Sequence, residues 1–449
     1  MNISTRLSAV IVLAVAGVGT ATATGAKAYR VLVPSALRQC PAGAPVAFVD
    51  VDVLTMLDSV PLRRQNVLVQ GGRVTSVGNT PLPRDVCRIE AAGQVLLPGL
   101  ADMHVHTDES EMPLFLSNGI TLVREMNGSP RHVQLRERLA RGEVVGPRLL
   151  VASPLLTGKP LRFRHRLVTS AEDAFAAAHE AKNAGFEYLK IYDDLSAADY
   201  DAFVQAARTV GLPLDGHVPN AVGLARVIAA GQAIQHMDKI AFAIAGHSGD
   251  TSALSAAAQL FTGKRIWITP TLASLRALDI AGTAECASRI RQPEMAYVDS
   301  ASVSWWRSLI GSGTRAYAPS PFYRLQTKLL PVLRKADARF LLGTDAANPL
   351  MIAGFSVHEE LATLIRDGGF SPYAALLSAT RNVGEFLNDS TVGVIRPGAR
   401  ADLILVADNP LMKPGALREP LGVMVGGRWL SRSQLQIGLK AAGTGSRPQ

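Results

Sequence analysis

The sequence predicts an α/β protein, a (β/α)8 TIM barrel carrying a small discontinuous β-sandwich domain built from both ends of the chain. Two observations predict this. Eight short apolar runs alternate with alanine-rich helical stretches through the middle of the chain, the pattern of parallel strands joined by crossover helices. On either side of that middle lie short β-like runs punctuated by glycine pairs, each set too small to bury a core of its own.

The bulk properties agree. The chain has 449 residues, 48% of them hydrophobic, which is ample for a large core and excludes global disorder. Its 39 glycines and 26 prolines exclude collagen-like and low-complexity classes. Three cysteines without a C-x-x-C exclude a disulfide scaffold. The net charge of +9 comes from scattered residues, with no Lys/Arg run or basic stripe, so no nucleic-acid partner is expected.

Residues 1–28 read as a signal peptide. One cation, Arg6, precedes an apolar run from Leu7 to Gly19, and Ala21-Thr22-Ala23 and Ala26-Lys27-Ala28 offer small-residue cleavage sites. The run falls short of the roughly 20 residues a bilayer span needs. The expectation is an exported, periplasmic or extracellular protein with no membrane span after signal removal. An uncleaved membrane anchor is the alternative. Export permits a disulfide between Cys40 and Cys87, with Cys286 left over.

Taken in order, Ala47–Val53, Asn66–Gln70 and Arg73–Val77 read as strands, the last two joined across Gly71-Gly72. Ala401–Val406 and Gly422–Val425 repeat that texture near the other end, so residues 29–97 and 390–436 are expected to form the sandwich. Residues 98–389 form the barrel and 437–449 a flexible tail. The barrel runs are Val95–Leu97 leading to Met103-His104, then Ile120–Val123, Arg148–Val151, Tyr188–Ile191, Leu212–Leu214, Ala233–Gln235, Ile266–Thr269 and Phe340–Leu342. Candidate helices are Ala171–Ala184, Ala197–Val210, Ala221–Ala230 and Pro372–Leu387. The stretch 275–335 exceeds one helix and reads as an excursion near the catalytic face.

The chemistry sits at predicted strand ends. His104 and His106 flank Val105, and strand alternation sends both imidazoles to one side. His217, His236 and Asp345 end the fifth, sixth and eighth strands. Four histidines and a carboxylate on one barrel face, with no thiolate, suit zinc, or manganese, iron or cobalt. The remaining histidines, His132, His165, His179, His247 and His358, lie on helical or loop segments and read as surface or structural groups. Lys190 ends the fourth strand. Burial beside a cation favours its neutral amine, which can take up carbon dioxide to give an anionic carbamate able to bridge two metals. The competing reading is an ion pair with Asp193 or Asp194. Tyr192 lies near the metals, and Arg124 at the second-strand end either receives a substrate carboxylate or makes a structural salt bridge.

Pro98-Gly99-Leu100-Ala101-Asp102-Met103-His104-Val105-His106, Asn118–Arg124, Lys190, Gly216-His217-Val218-Pro219, His236, Gly343-Thr344-Asp345 and Gly398–Leu403 together resemble the amidohydrolase superfamily. Within it the chain resembles the subgroup of imidazolonepropionases and metal-dependent Xaa-Pro or Xaa-Arg/Lys dipeptidases. The resemblance implies two divalent metal ions, zinc foremost: His104, His106 and Asp345 on the more buried, His217 and His236 on the more exposed, and carboxylated Lys190 between them. Gln235 departs from the glutamate that relatives often carry there. The implied activity is metal-dependent hydrolysis of an amide or cyclic amide, with Asp345 as catalytic base and then acid. The alternatives are a dipeptidase or N-acyl amino acid hydrolase, and a non-catalytic protein that keeps the metal site. The expected partner is a small molecule or short peptide, and a homo-oligomer is compatible with the sequence. The H-x-E and P-C-x-x-C signature of nucleic-acid deaminases is missing.

Overall fold

The computed structural model describes residues 38–245, 254–280, 282–311 and 321–444. The signal-like segment and His247 lie outside the described residues, and no described helix is long and apolar enough to cross a membrane.

Eight parallel strands make the barrel. They are β1 (Leu100–Val105), β2 (Ile120–Glu125), β3 (Arg148–Val151), β4 (Leu189–Ile191), β5 (Leu214–Gly216), β6 (Ala233–Gln235), β7 (Trp267–Thr269) and β8 (Arg339–Phe340). β1 pairs β2 and β2 pairs β3, while β4 through β8 pair in sequence order. Two isolated bridges join these groups, Ala152 with Tyr188 and Val105 with Ala346. Further backbone bonds lie beside them: Ser153 N donates to Tyr188 O at 2.8 Å and Met103 N to Leu342 O at 2.8 Å. Gly343 permits the second junction, because a Cβ there would stand 2.8 Å from the His104 Cβ.

The helices follow the expected pattern. Ala171–Asn183 is capped by Ser170, whose hydroxyl accepts from Asp173 N, and it buries Ala174, Ala177, Ala178 and Ala181 on one face. Ala197–Val210 is capped by Ser196 and ends at Gly211 in the left-handed conformation. The expected helix Pro372–Leu387 is instead two, Pro372–Ser378 and Arg381–Phe386, broken at Thr380, whose φ of −134° and ψ of −102° are not helical.

Leu155–Thr157 and His165–Leu167 extend the barrel sheet beside β4, and the other strands form one eight-stranded sheet drawn from both ends of the chain. Leu403–Val406 pairs Val95–Pro98, which pairs Val46–Val53. The β run at residues 95–98 therefore belongs to this sheet, and the first barrel strand starts only at Leu100. Gly71 and Gly72 turn the hairpin with φ of 58° and 74°. A second core lies within this sheet, with Phe48 edge-on to Trp429 at 5.3 Å. Cys40 and Cys87 are joined by a disulfide across this region, and Cys286 is free and buried.

The end of the chain corrects the expected tail. Residues 437–444 continue the helix Arg432–Thr444, because Leu435, Leu439 and Ala442 recur at helical spacing and pack on the main core. Among the described residues the excursion between β7 and β8 is mostly helical, including Leu272–Asp279, Ala284–Arg289 and Ser300–Gly311. Its Ala273, Ala277, Cys286 and Trp306 pack with Ala346, Leu350, Met351 and Ile352, just after Asp345.

Candidate active site

The strand ends bring the expected groups together. His104 Nε2 and His106 Nε2 lie 3.4 and 3.3 Å from Asp345 Oδ1. Those three residues offer ligand atoms all within 4.8 Å of one another. The His236 ring lies 4.5 Å from that of His104 and 4.9 Å from that of His217, and Tyr192 lies 4.4 Å from His217. His236 and Asp345 sit at φ of 67° and 60°, a left-handed backbone that non-glycine residues adopt at a cost and that recurs at functional sites.

Each histidine is held at Nδ1. Asp193 Oδ1 lies 2.9 Å from His217 Nδ1, and Glu125 Oε1 lies 3.4 Å from His106 Nδ1. Carboxylates only accept, so these Nδ1 atoms carry the proton. Gln235 settles His104 in the same way. Its Nε2 donates to Asp215 Oδ1 at 2.6 Å, which leaves Oε1 to accept from His104 Nδ1 at 2.7 Å. Thr271 Oγ1 lies 2.8 Å from His236 Nδ1. The Nδ1 protons of His104, His106 and His217 are thereby fixed and their Nε2 atoms turned to the shared space, while His236 Nδ1 also stands 3.7 Å from Asp345 Oδ2, an arrangement that orients imidazoles toward metal ions.

The electrostatics suit that role. Burial pulls His104 and His236 well below the usual histidine range and His217 down to about 4, so these rings are neutral and able to donate a lone pair. Burial also acts on His106, but Asp345 and Glu125 outweigh it and raise that ring to about 9 in the absence of a cation. Lys190 is buried in the middle of the short strand β4, and among the described residues its Nζ has no hydrogen-bond partner. Burial lowers its ammonium to about 8. The ion pair with Asp193 or Asp194 does not form: Asp193 takes His217 and Lys239, and Asp194 takes Lys159.

Arg124 corrects a sequence expectation. It is fully buried, donating from Nη1 to Asp215 at 2.5 Å and from Nε to Met103 O at 2.9 Å. Its guanidinium also lies over the Tyr188 and Phe386 rings. It faces the barrel interior and cannot receive a substrate carboxylate. His358 is structural, with Nε2 3.1 Å from Asn118 Oδ1.

Sequence reasoning missed three supports. Asp102 takes Thr344 N at 2.9 Å and the Thr344 hydroxyl at 2.6 Å, fixing the residue before Asp345. Strand alternation places Asp102 on the side of His104 and His106, so this one was readable. Asn348 hydrogen-bonds Asp345 Oδ2, and Glu125 accepts from Thr107 N and Asn127 N at 2.7 and 2.8 Å. Neither of these carries a sequence signal.

Residues 95–430 match the amidohydrolase family, and the chain belongs to that family. Adenine deaminase of Deinococcus deserti is 26% identical over 400 residues, which cover 81% of this chain and 60% of that relative's length. Among solved structures, a bottromycin amidohydrolase aligns with a TM-score of 0.72 and 26% identity over 88% of this chain and 90% of its own. A Xaa-Pro dipeptidase with bound methionine aligns at 0.65 and 17% over 86% and 100% of the two chains. An ochratoxinase from A. niger aligns at 0.63 and 18% over 86% and 95%. At those lower identities the likeness is one of fold.

The family is generally metal-dependent, and the residues present fit metal ions. Four imidazoles are tied at Nδ1, two of them turn Nε2 toward Asp345, and a buried lysine nitrogen stands without a hydrogen-bond partner.

Proposed function

We propose that this hydrolase cleaves an amide or cyclic amide in a two-metal site held by His104, His106, His217, His236, Asp345 and carboxylated Lys190. The observation that carries the reading is Lys190 Nζ. An amine buried without a partner, and shifted toward its neutral form, is unfavourable as it stands and is the form that reacts with carbon dioxide. Its nitrogen would attack the carbon, lose a proton and leave an anionic carbamate. That anion relieves both the desolvation and the missing contact once cations are beside it. Zinc is the best fit for this imidazole and carboxylate set.

When bound, such ions supply Lewis acidity toward a carbonyl and acidify water. Asp345 has one oxygen facing His104 and His106 and the other held by Asn348, so its carboxylate is positioned to take a proton and return it to a leaving nitrogen. Glu125, Gln235, Asp193 and Thr271 keep the imidazoles in one tautomer. Tyr192, beside His217, is the remaining candidate for substrate contact.

The substrate is a small molecule or a short peptide. The dipeptidase or N-acyl amino acid hydrolase reading uses the same machinery. A screen of cyclic amides against dipeptides separates them, because only peptidase action on the latter releases free amino acids. Metal binding without turnover of either set would favour the non-catalytic alternative. Export, read from residues 1–28, completes the proposal, and fractionation of the native host with N-terminal sequencing of the mature chain tests it.

A further inference from the structure

We propose that Glu360 is a positioning residue for His236, acting through Thr271. The inference rests on the metal-site reading and adds a residue that no strand-end motif contains.

The helix Leu272–Asp279 begins directly after β7 and Pro270, with Thr271 at its N-cap. A threonine there ordinarily turns its hydroxyl onto the backbone amides of the first turn. Thr271 does not. Its φ is 48°, a strained value for a β-branched residue, and its side chain makes no capping bond. The hydroxyl lies instead 2.8 Å from His236 Nδ1. The same turn grips His236 by its backbone, with His236 N donating to Thr269 O at 2.9 Å and Met237 N to Pro270 O at 3.0 Å.

The first two amides of that helix are taken by Glu360, from the helix Ser356–Arg366. Leu272 N donates to Oε1 at 3.0 Å and Ala273 N donates to Oε2 at 2.6 Å. Both donors would otherwise be buried without a partner at the helix start. Glu360 is fully buried, and burial pushes its carboxyl up to about 8. Holding a carboxyl here is therefore costly. The Thr271 hydroxyl in a capping role would take one first-turn amide only and would be lost to His236. The costly arrangement does something the simple one cannot: it releases the hydroxyl to fix the His236 ring. The two amides work against that burial by favouring the ionised carboxylate, whose oxygens both accept, whereas a glutamine could satisfy only one amide and would present its own NH2 to the other.

Zinc affinity of the purified full-length chain, measured by chelator competition, tests this in Thr271→Val, Thr271→Ser, Glu360→Gln and the Thr271→Val/Glu360→Gln double variant. Thermal unfolding of the metal-free proteins is the control. Thr271→Val is expected to weaken the looser zinc about tenfold or more, with metal-free unfolding near that of the parent. Thr271→Ser keeps the hydroxyl and should restore affinity. Glu360→Gln should weaken zinc binding too, and the double variant should bind no worse than the weaker single, because both act through one ring. Parental zinc affinity in Thr271→Val, or Glu360→Gln lowering the unfolding temperature alone, overturns the inference. A parent chain that binds no zinc overturns the metal-site reading beneath it.

Discussion

Gln235 Oε1 stands 2.7 Å from His104 Nδ1 while its Nε2 holds Asp215, which in turn holds Arg124. A buried line of contacts thus runs from a cation in the barrel interior to an imidazole of the candidate metal site. The glutamine amide is polarised at both ends, so it reads as a rigid spacer. Gln235→Leu would leave the His104 N–H and one Asp215 oxygen without partners. We expect a loss of about 2–4 kcal/mol in the metal-free protein from two unsatisfied groups, with metal affinity down by about 10-fold or more. Chemical denaturation and metal titration of the variant check both.

Arg124 provides a sharper contrast, because the substrate and structural readings predict opposite things. Arg124→Met should destabilise the fold by about 3–5 kcal/mol, since Asp215 is then a buried charge without compensation. For whatever folded enzyme remains, KM for a carboxylate-bearing substrate should match the parent. A large rise in KM with unchanged stability would restore the substrate role.

Asp345→Asn tests proton transfer. The amide keeps an oxygen for His104, His106 or a metal ion but cannot shuttle a proton. A fall in kcat of about 100-fold or more is expected with metal at saturation, while the metal-free variant unfolds at a lower temperature because His106 loses a charge partner. Unchanged turnover of a good substrate would remove Asp345 from the mechanism.

Lys190 predicts a pH dependence of the metal-free protein. Its folded value of about 8 lies below the ordinary 10.5, so between these the unfolded chain binds more protons than the folded one. Stability from this group is therefore fully present above about 10.5, and falls as pH drops toward 8. The shift corresponds to about 3 kcal/mol at most. Lys190→Met should remove this slope and stabilise the metal-free chain near neutral pH, while losing metal. Denaturation across pH 7–11 in the presence of a chelator measures it. An identical slope in both proteins would mean that Lys190 does not titrate there.

Much of this was legible in the sequence, for identifiable reasons. Strand alternation in Asp102-Met103-His104-Val105-His106 fixes which side chains share a face, and glycine pairs such as Gly71-Gly72 mark hairpins whatever surrounds them. Both are local. The failures are non-local. Arg124 sits at a strand end like the histidines, and only the position of Asp215, 91 residues away, makes it an interior cation. Residues 437–444 read as a tail because nothing local marks them as packed, and the helix is decided by what Leu435 and Leu439 find to pack on. Glu360 caps a helix 88 residues earlier in the chain, a pairing with no sequence pattern.

In the proposed site Lys190 and the four histidines hold two metal ions. Metal analysis of the purified chain, combined with intact mass under mild conditions, tests it most directly. The account predicts about two divalent ions per chain and a labile carbon dioxide adduct that disappears in Lys190→Met. A chain that binds no divalent ion after supplementation, or one ion with no adduct, would contradict it.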